Sequence, residues 1–245
     1  MTRDEVEAII SEATVIIPVG AIEQHGEHLP LETDSLIIKE ITEKVSEKFI
    51  CNYPVLTVPV VCYGNSHHHF PYPTLSLSSE TMIYVLKDLV SSLVKIGANK
   101  VLLLNSHGGN DEVIRIVARD MSQACRISVG AVSYWTLAWK RITAAFNVQD
   151  LGRVPGHAGG FETSLMLALN SEKVKLDKRL PIRVDVVPSE ENANRIYVSH
   201  ANNSVGINGV SDDASYASKE IGEKCFSIII EEVFQEVHKF VIGKL

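Results

Sequence analysis

The chain has 245 residues, of which 45% are hydrophobic and 22% charged, and its formal net charge is -7. Such a composition fits a globular domain with a substantial core, and the acidic balance excludes a non-specific nucleic-acid binder and an anionic membrane surface as partner. No apolar run approaches the roughly 20 residues of a membrane span; Met1 to Glu7 carries no signal-like apolar core, and four cysteines without a C-x-x-C pair lead us to expect a reducing cytoplasm.

In chain order, Val15 to Val19 reads as a buried strand, followed by the polar segment Glu23 to Asp34. A helix is predicted over Ser35 to Phe49 with Asp34 as its N-cap, then a strand over Val55 to Val60. The next helix, Glu80 to Ile96, places Met82, Leu86, Leu89, Val90, Leu93 and Val94 on one face and stops at Gly97. Val101 to Leu104 and Ile127 to Val132 are further strands, with Asp111 to Cys125 helical between them. Phe161 to Leu169 follows a glycine-rich turn, and a last helix covers Ala214 to Ile242 with a break near Gly222. Pro181 to Asn208 is the least regular part, open to an extra strand pair or a substrate loop. The strand runs are continuously apolar, as expected for a parallel sheet buried on both faces. The alternation of strand and helix predicts one α/β domain over 1–245, and ligands in such folds bind beyond the carboxyl ends of the strands.

Four polar clusters fall at those ends. The first is Glu23 to Asp34, with four carboxylates and two imidazoles in twelve residues. Oxygen and nitrogen donors crowded after a strand suit a divalent metal. In an extended chain Glu23 and His25 point to the same side, and Asp34 can bridge two ions while they hold one each. His28 and Glu27 are candidates for orienting a ligand. The second is Tyr63 to Pro71 with His67, His68 and His69. Adjacent side chains diverge, so one of the three is expected to face the site, and His69 is selected. The third is Asn105-Ser106-His107-Gly108-Gly109-Asn110, where a strand turns into a helix. His107 projects from the strand's carboxyl end; Gly108, Gly109 and Asn110 are candidate substrate contacts, with N–H groups suited to an oxyanion. The fourth is Gly156 to Ser164, where Glu162 is a further metal carboxylate and His157 a proton donor or acceptor. Trp135 and Trp139 offer stacking surfaces, and Arg153 a partner for a carboxylate or phosphate. Seven of the nine histidines lie in these four clusters, which argues for one converged site.

Together these segments resemble the creatininase (creatinine amidohydrolase) family. The likeness runs through Pro18 to Gly26, Leu29-Pro30-Leu31, Thr33-Asp34, Gly64 to Leu77, Asn105 to Asn110 and Gly156 to Ser164, with a fainter echo at Gly209 to Asp212. It implies a three-layer α/β/α fold and a metal-dependent hydrolase acting on a carbon–nitrogen bond other than a peptide. It further implies a two-metal centre, with Glu23, Asp34 and His107 on one ion and His25 and Asp34 on the other. Creatininase completes its second site with a Glu two residues after the His matched by His107; here Gly109 stands there. The departure argues against creatinine as substrate and aligns the chain with the His-Gly-Gly-Asn members, for which Glu162 is the natural replacement. Those members include a pyrimidine nucleotide deformylase, enzymes that trim peptide-derived redox cofactors, and enzymes that open cyclic sugar ketones.

The expected chemistry is attack by a metal-activated water on a carbonyl of a cyclic amide or formamide, with His157 giving a proton to the leaving nitrogen. Zn, Mn and Fe all suit carboxylate and imidazole ligands. The resemblance also suggests a closed homo-oligomer, a hexamer in creatininase. Two rival readings are a degenerate member that binds a metabolite as an assembly or regulatory subunit, and a nucleotide-binding α/β domain. The first is opposed by the retention of Glu23, His25, Asp34, His107 and Glu162 together. The second lacks the fingerprint glycines after its first strand.

Overall fold

The computed structural model describes residues 1–49, 53–146, 151–180 and 208–244. Its centre is a four-stranded parallel sheet, β1 Thr14–Val19, β2 Val55–Thr57, β3 Lys100–Asn105 and β4 Ser128–Ser133, in the order β2-β1-β3-β4. The strands form because their apolar runs bury both faces at once. Val15, Ile17 and Val19 of β1 and Val101 and Leu103 of β3 enter one core, while Ile16, Leu102 and Leu104 enter the other. Each such side chain removed from water contributes about 1.5–3 kcal/mol.

Seven helices are described: α1 Arg3–Glu7, α2 Thr33–Glu47, α3 Ser79–Lys95, α4 Asp111–Cys125, α5 Tyr134–Ala145, α6 Gly160–Asn170 and α7 Lys219–Val241. Helices α3 and α4 cover one face of the sheet through Met82, Leu86, Val90, Val113, Ile114, Val117 and Met121. Helices α2, α5, α6 and α7 cover the other. The result is the α/β/α layering expected from the pattern of the chain. Short 3-10 turns at His67–His69 and Gly108–Asn110 lead towards α3 and into α4.

Four local expectations are corrected. Glu32, not Asp34, occupies the N-cap of α2, and Asp34 lies buried in the first turn. Strand β2 stops at Thr57, ahead of Pro59, which has no N–H for a ladder. Leu89 faces solvent, leaving Met82, Leu86 and Val90 as the buried stripe of α3. Helix α7 starts after its N-cap Ser218 and runs unbroken through Gly222. A Cβ at Gly222 would overlap the Ser164 carbonyl of α6, so this glycine serves a close helix crossing and not a break. Most of the irregular stretch Pro181 to Asn208 lies outside the described residues, as does Cys51. Among the described residues, Cys62, Cys125 and Cys225 are free thiols, and no helix is long and apolar enough to cross a membrane.

The register sets Val19, Asn105 and Ser133 side by side at the carboxyl edge. The polar clusters converge just beyond that edge, where loops leave three neighbouring strands.

Candidate metal centre

The first loop is closed on itself by Glu23 N–H donating to the Leu31 carbonyl at 2.9 Å. This turns Glu23, His25 and Asp34 inward, all buried. The β3 turn is held by its two asparagines. Asn105 Oδ1 accepts from His107 N and Asn110 Nδ2, while Asn105 Nδ2 donates to the His107 carbonyl and to Ser133 Oγ. Ser106 Oγ donates to the Asp34 carbonyl at 2.8 Å, tying this turn to α2. His107 is thereby aimed at the carboxylates of the first loop.

Two donor groups share Asp34: Glu23, Asp34 and His107, and His25, Asp34 and Glu162, with the donor atoms of each group within 4.8 Å of one another. A third group joins Glu23, His25 and His157. The His107 Nδ1 atom stands 3.2 Å from Glu23 Oε1 and 3.5 Å from Asp34 Oδ2. His25 Nε2 stands 3.7 Å from both Asp34 Oδ1 and Glu162 Oε2.

The outward ring nitrogens decide the character of this cluster. His25 Nδ1 lies 3.1 Å from the Glu23 carbonyl, and His107 Nε2 lies 3.0 Å from the Asn65 carbonyl. A carbonyl only accepts, so each outward nitrogen carries a ring hydrogen, and each inward nitrogen presents to the carboxylates either a proton or, beside a metal ion, a lone pair. Among the described residues, Glu23 Oε1 and Oε2, His25 Nε2 and Asp34 Oδ2 are buried without a hydrogen-bond partner. The carboxylates crowded into this buried site call for positive charge, which ring protons or a metal ion can supply. The donor set of carboxylate oxygens and imidazole nitrogens fits divalent metal ions.

Without an ion, the carboxylates draw protons onto the rings. Burial pushes His25 down, but the carboxylates of Asp34, Glu162 and Glu23 outweigh it and raise the ring to about 10. In His107, burial is likewise outweighed by Glu23 and Asp34, and the ring rises to about 9. Burial raises Glu162 to about 8, even though His25 beside it pulls the other way. Burial also holds His157 well below the usual imidazole range, helped by the neighbouring His25.

A cleft of about 180 Å³ opens onto this cluster and is lined by Asp34, His68, His69, His107, Trp135, His157 and Glu162, with Ser106, Gly108, Gly109, Pro155 and Gly156. A model of the creatininase (creatinine amidohydrolase) family matches residues 1–237. The chain belongs to the creatininase family. It is 31% identical to creatinine amidohydrolase of Pseudomonas putida over 195 residues, 73% of each chain. It is 25% identical to the mycofactocin precursor peptide peptidase of Mycobacterium ulcerans over 241 residues, 94% of this chain and 86% of that one. A solved manganese creatininase superposes with a TM-score of 0.77 at 26% identity, covering 98% of this chain and 96% of that one. The relatives are hydrolases, and this chain is a creatininase-family hydrolase.

Within this creatininase fold the expected residues separate clearly. Glu23, His25, Asp34, His107, His157 and Glu162 come together. Gly108, Gly109 and Trp135 line the cleft. The histidine triplet forms a 3-10 turn that exposes His67 and directs two rings inward instead of one. His69 Nε2 reaches 3.0 Å from Glu23 Oε1, and His68 stacks on His107 at 5.6 Å between centroids. Asn110 does not face the cleft: its amide is taken up by Asn65 N, the Gly20 carbonyl and Asn105 Oδ1. Arg153 is exposed and absent from the lining described, because its loop turns it outward beside Asp212. Trp139 packs against the core. Glu27 is exposed, whereas His28 is buried and bonds Thr163 Oγ1 at 2.9 Å.

Two supports escaped the reading of the sequence. Gln24 bonds across the site, and Asp212 fills the space left by Gly152, Gly156 and Gly159. The faint Gly209 to Asp212 motif and the cluster of glycines from 152 to 160 were the available signals.

Proposed function

We propose that this chain is a metal-dependent amidohydrolase that cleaves a non-peptide C–N bond, a cyclic amide or a formamide, in a small substrate. The observation that carries this reading is the set of partnerless inward donor atoms of Glu23, His25 and Asp34, buried together with Nδ1 of His107. Glu23, Asp34 and His107 would hold one ion, and His25, Asp34 and Glu162 a second, with Asp34 shared. Manganese is supported by the superposed creatininase structure, and zinc and iron suit the same donors. Such ions polarise a carbonyl and lower the pKa of water.

The remaining residues have their own tasks. His157 is the proton-transfer group: its ring lies 4.3 Å from that of His25, at the wall of the cleft. Its lowered pKa keeps it neutral, able to take a proton from water and return it to the leaving nitrogen. Trp135 offers a flat surface for a planar substrate, steadied edge-on by Tyr134 at 5.2 Å. Gly108 has open space where a side chain would stand and leaves room for the substrate to approach the turn. The narrow cleft favours a small ring or a chain end over a long polymer.

The nearly full-length likeness to a peptide peptidase favours a second reading, release of a residue from a peptide end. The test is elemental analysis of purified protein, followed by assay of the zinc- and manganese-loaded forms on creatinine, N-formyl amines, lactams and short peptides. Metal-dependent turnover of the first three supports the proposal; turnover of peptides alone replaces it with the second reading. A closed homo-oligomer is proposed on the family likeness, and light scattering in solution checks it.

A further inference from the structure

Gln24 lies between the ligand candidates Glu23 and His25 in sequence, so its side chain leaves the opposite side of the extended segment. It is buried, and its surroundings fix every hydrogen it carries. Gly26 N–H donates to Gln24 Oε1 at 3.0 Å, which sets the orientation of the amide. The amide nitrogen then faces three atoms: the Gly209 carbonyl at 3.0 Å, His69 Nδ1 at 2.8 Å and His157 Nε2 at 2.9 Å. It has two hydrogens to give. The Gly209 carbonyl can only accept and takes one.

His157 Nε2 also stands 2.8 Å from the backbone carbonyl of Gln24 itself. That carbonyl can only accept, so the ring hydrogen of His157 is on Nε2 and this atom takes nothing from the amide. The second amide hydrogen therefore goes to His69 Nδ1. His69 then carries its own hydrogen on Nε2, 3.0 Å from Glu23 Oε1 though off the line of a good hydrogen bond. His157 is left with a bare Nδ1, 3.6 Å from Glu23 Oε1 and turned towards the carboxylate cluster. The backbone is shaped around this arrangement: Gly209 has φ 78°, and a Cβ there would overlap the Gln24 amide.

We propose that Gln24 is a positioning residue that fixes the ring tautomer of His69 with its side-chain amide and that of His157 with its backbone carbonyl, so that His157 meets the cleft with an unprotonated Nδ1 and acts first as a proton acceptor. This rests on His157 being the proton-transfer group of the proposed hydrolysis. As the C–O bond forms, the water proton passes to Nδ1. As the C–N bond breaks, the same proton passes to the departing nitrogen, and the ring returns to neutral. Throughout, Nε2–H stays on the Gln24 carbonyl, which supports the transient imidazolium.

The test is ¹⁵N NMR of the histidine rings in zinc-loaded protein. In the wild type, His157 and His69 should both show a protonated Nε2 and a bare Nδ1. Gln24→Glu keeps the acceptor for Gly26 but can donate to neither His69 nor Gly209; His69 should then become protonated at Nδ1. With a substrate in hand, kcat should fall by roughly 10- to 100-fold at unchanged metal content, with KM little altered. Gln24→Leu serves as a second variant and should lose the His69 tautomer preference in the same way. A wild-type spectrum with His157 protonated at Nδ1, or a His69 tautomer unmoved in both variants, overturns the tautomer assignment and leaves the proposed function standing. Full turnover in His157→Ala would instead overturn the proton-transfer role, whatever the spectrum shows.

Discussion

The Asp212 carboxylate accepts the N–H of Gly160 at 3.2 Å, joining the segment before α7 to the first turn of the helix that carries Glu162. Its other oxygen accepts from Ser211 Oγ at 2.8 Å, and Ser211 Oγ in turn accepts the His157 N–H at 2.7 Å. Gly152, Gly156 and Gly159 each leave the space that this carboxylate fills. The loop bearing His157 is thus wrapped around one buried acid. Burial raises Asp212 from 3.8 to about 6, against the hydrogen bonds of Ser211, Gly160 and Arg153. A carboxyl raised in the folded state stabilises the fold below its unfolded pKa, and that contribution is lost as pH rises through about 6. The difference between 3.8 and about 6 corresponds to about 3 kcal/mol. Asp212→Asn does not titrate, so its Tm relative to wild type should rise between pH 4 and pH 7. The expected gain is roughly 6–12 °C for a chain of this size. A Tm difference that stays flat between those two pH values would show that the acid is not held in its raised state.

Ligand and proton-transfer roles are separable by two substitutions. His107→Ala removes a donor whose Nδ1 faces Glu23 and Asp34, and it should lower bound metal as measured by elemental analysis. His157→Ala should keep the metal and lose at least about 100-fold in kcat, the lower end of what a positioned acid–base group contributes. Metal retained in the first variant would remove His107 from the ligand set.

Gly109 is held by packing. A Cβ at this position would overlap the Asn65 carbonyl oxygen and lie 2.6 Å from His107 Nε2. A glutamate here cannot simply restore the creatininase ligand, because it must first push away the carbonyl that fixes the His107 tautomer. Gly109→Glu should therefore cost roughly 1–3 kcal/mol in urea denaturation and lower metal affinity. An unchanged denaturation midpoint together with tighter metal binding would show that the Asn65 loop yields freely.

The layered fold was legible because β1 and β3 are apolar on both faces, and α4 keeps a clean amphipathic stripe between Asp111 and Cys125. The cluster of candidate ligands was legible because its donors sit at strand ends in short, dense motifs. Helix α5 was not, because it leaves β4 directly at Ser133 with no side-chain cap and buries only Tyr134, Ala138 and Ile142. Gln24 and Asp212 were hidden for another reason. Their meaning lies in partners far along the chain, such as the Gly209 carbonyl 185 positions from Gln24, and local spacing carries no trace of such pairing. The histidine triplet misled in one respect: a 3-10 turn places successive rings differently from an extended chain, so both His68 and His69 reach the cleft.

Glu162 offers the sharpest test of a second ion. Its Oε2 accepts the Ala158 N–H at 2.6 Å and stands 3.7 Å from His25 Nε2, so the carboxylate is positioned by the backbone while facing the ligand cluster. In Glu162→Gln the amide oxygen can keep the Ala158 bond and the place of Oε2, but the negative charge is gone, and a neutral amide oxygen is a weak ligand beside His25 and Asp34. Bound metal should fall from two ions per chain to one, with Glu23, Asp34 and His107 retaining theirs. His25→Ala should give the same stoichiometry by removing another member of the same set. Replacing a carboxylate that burial has already raised to about 8 should leave the fold intact, so the loss can be read as metal and not as unfolding. Two ions retained in both Glu162→Gln and His25→Ala would exclude the second donor set.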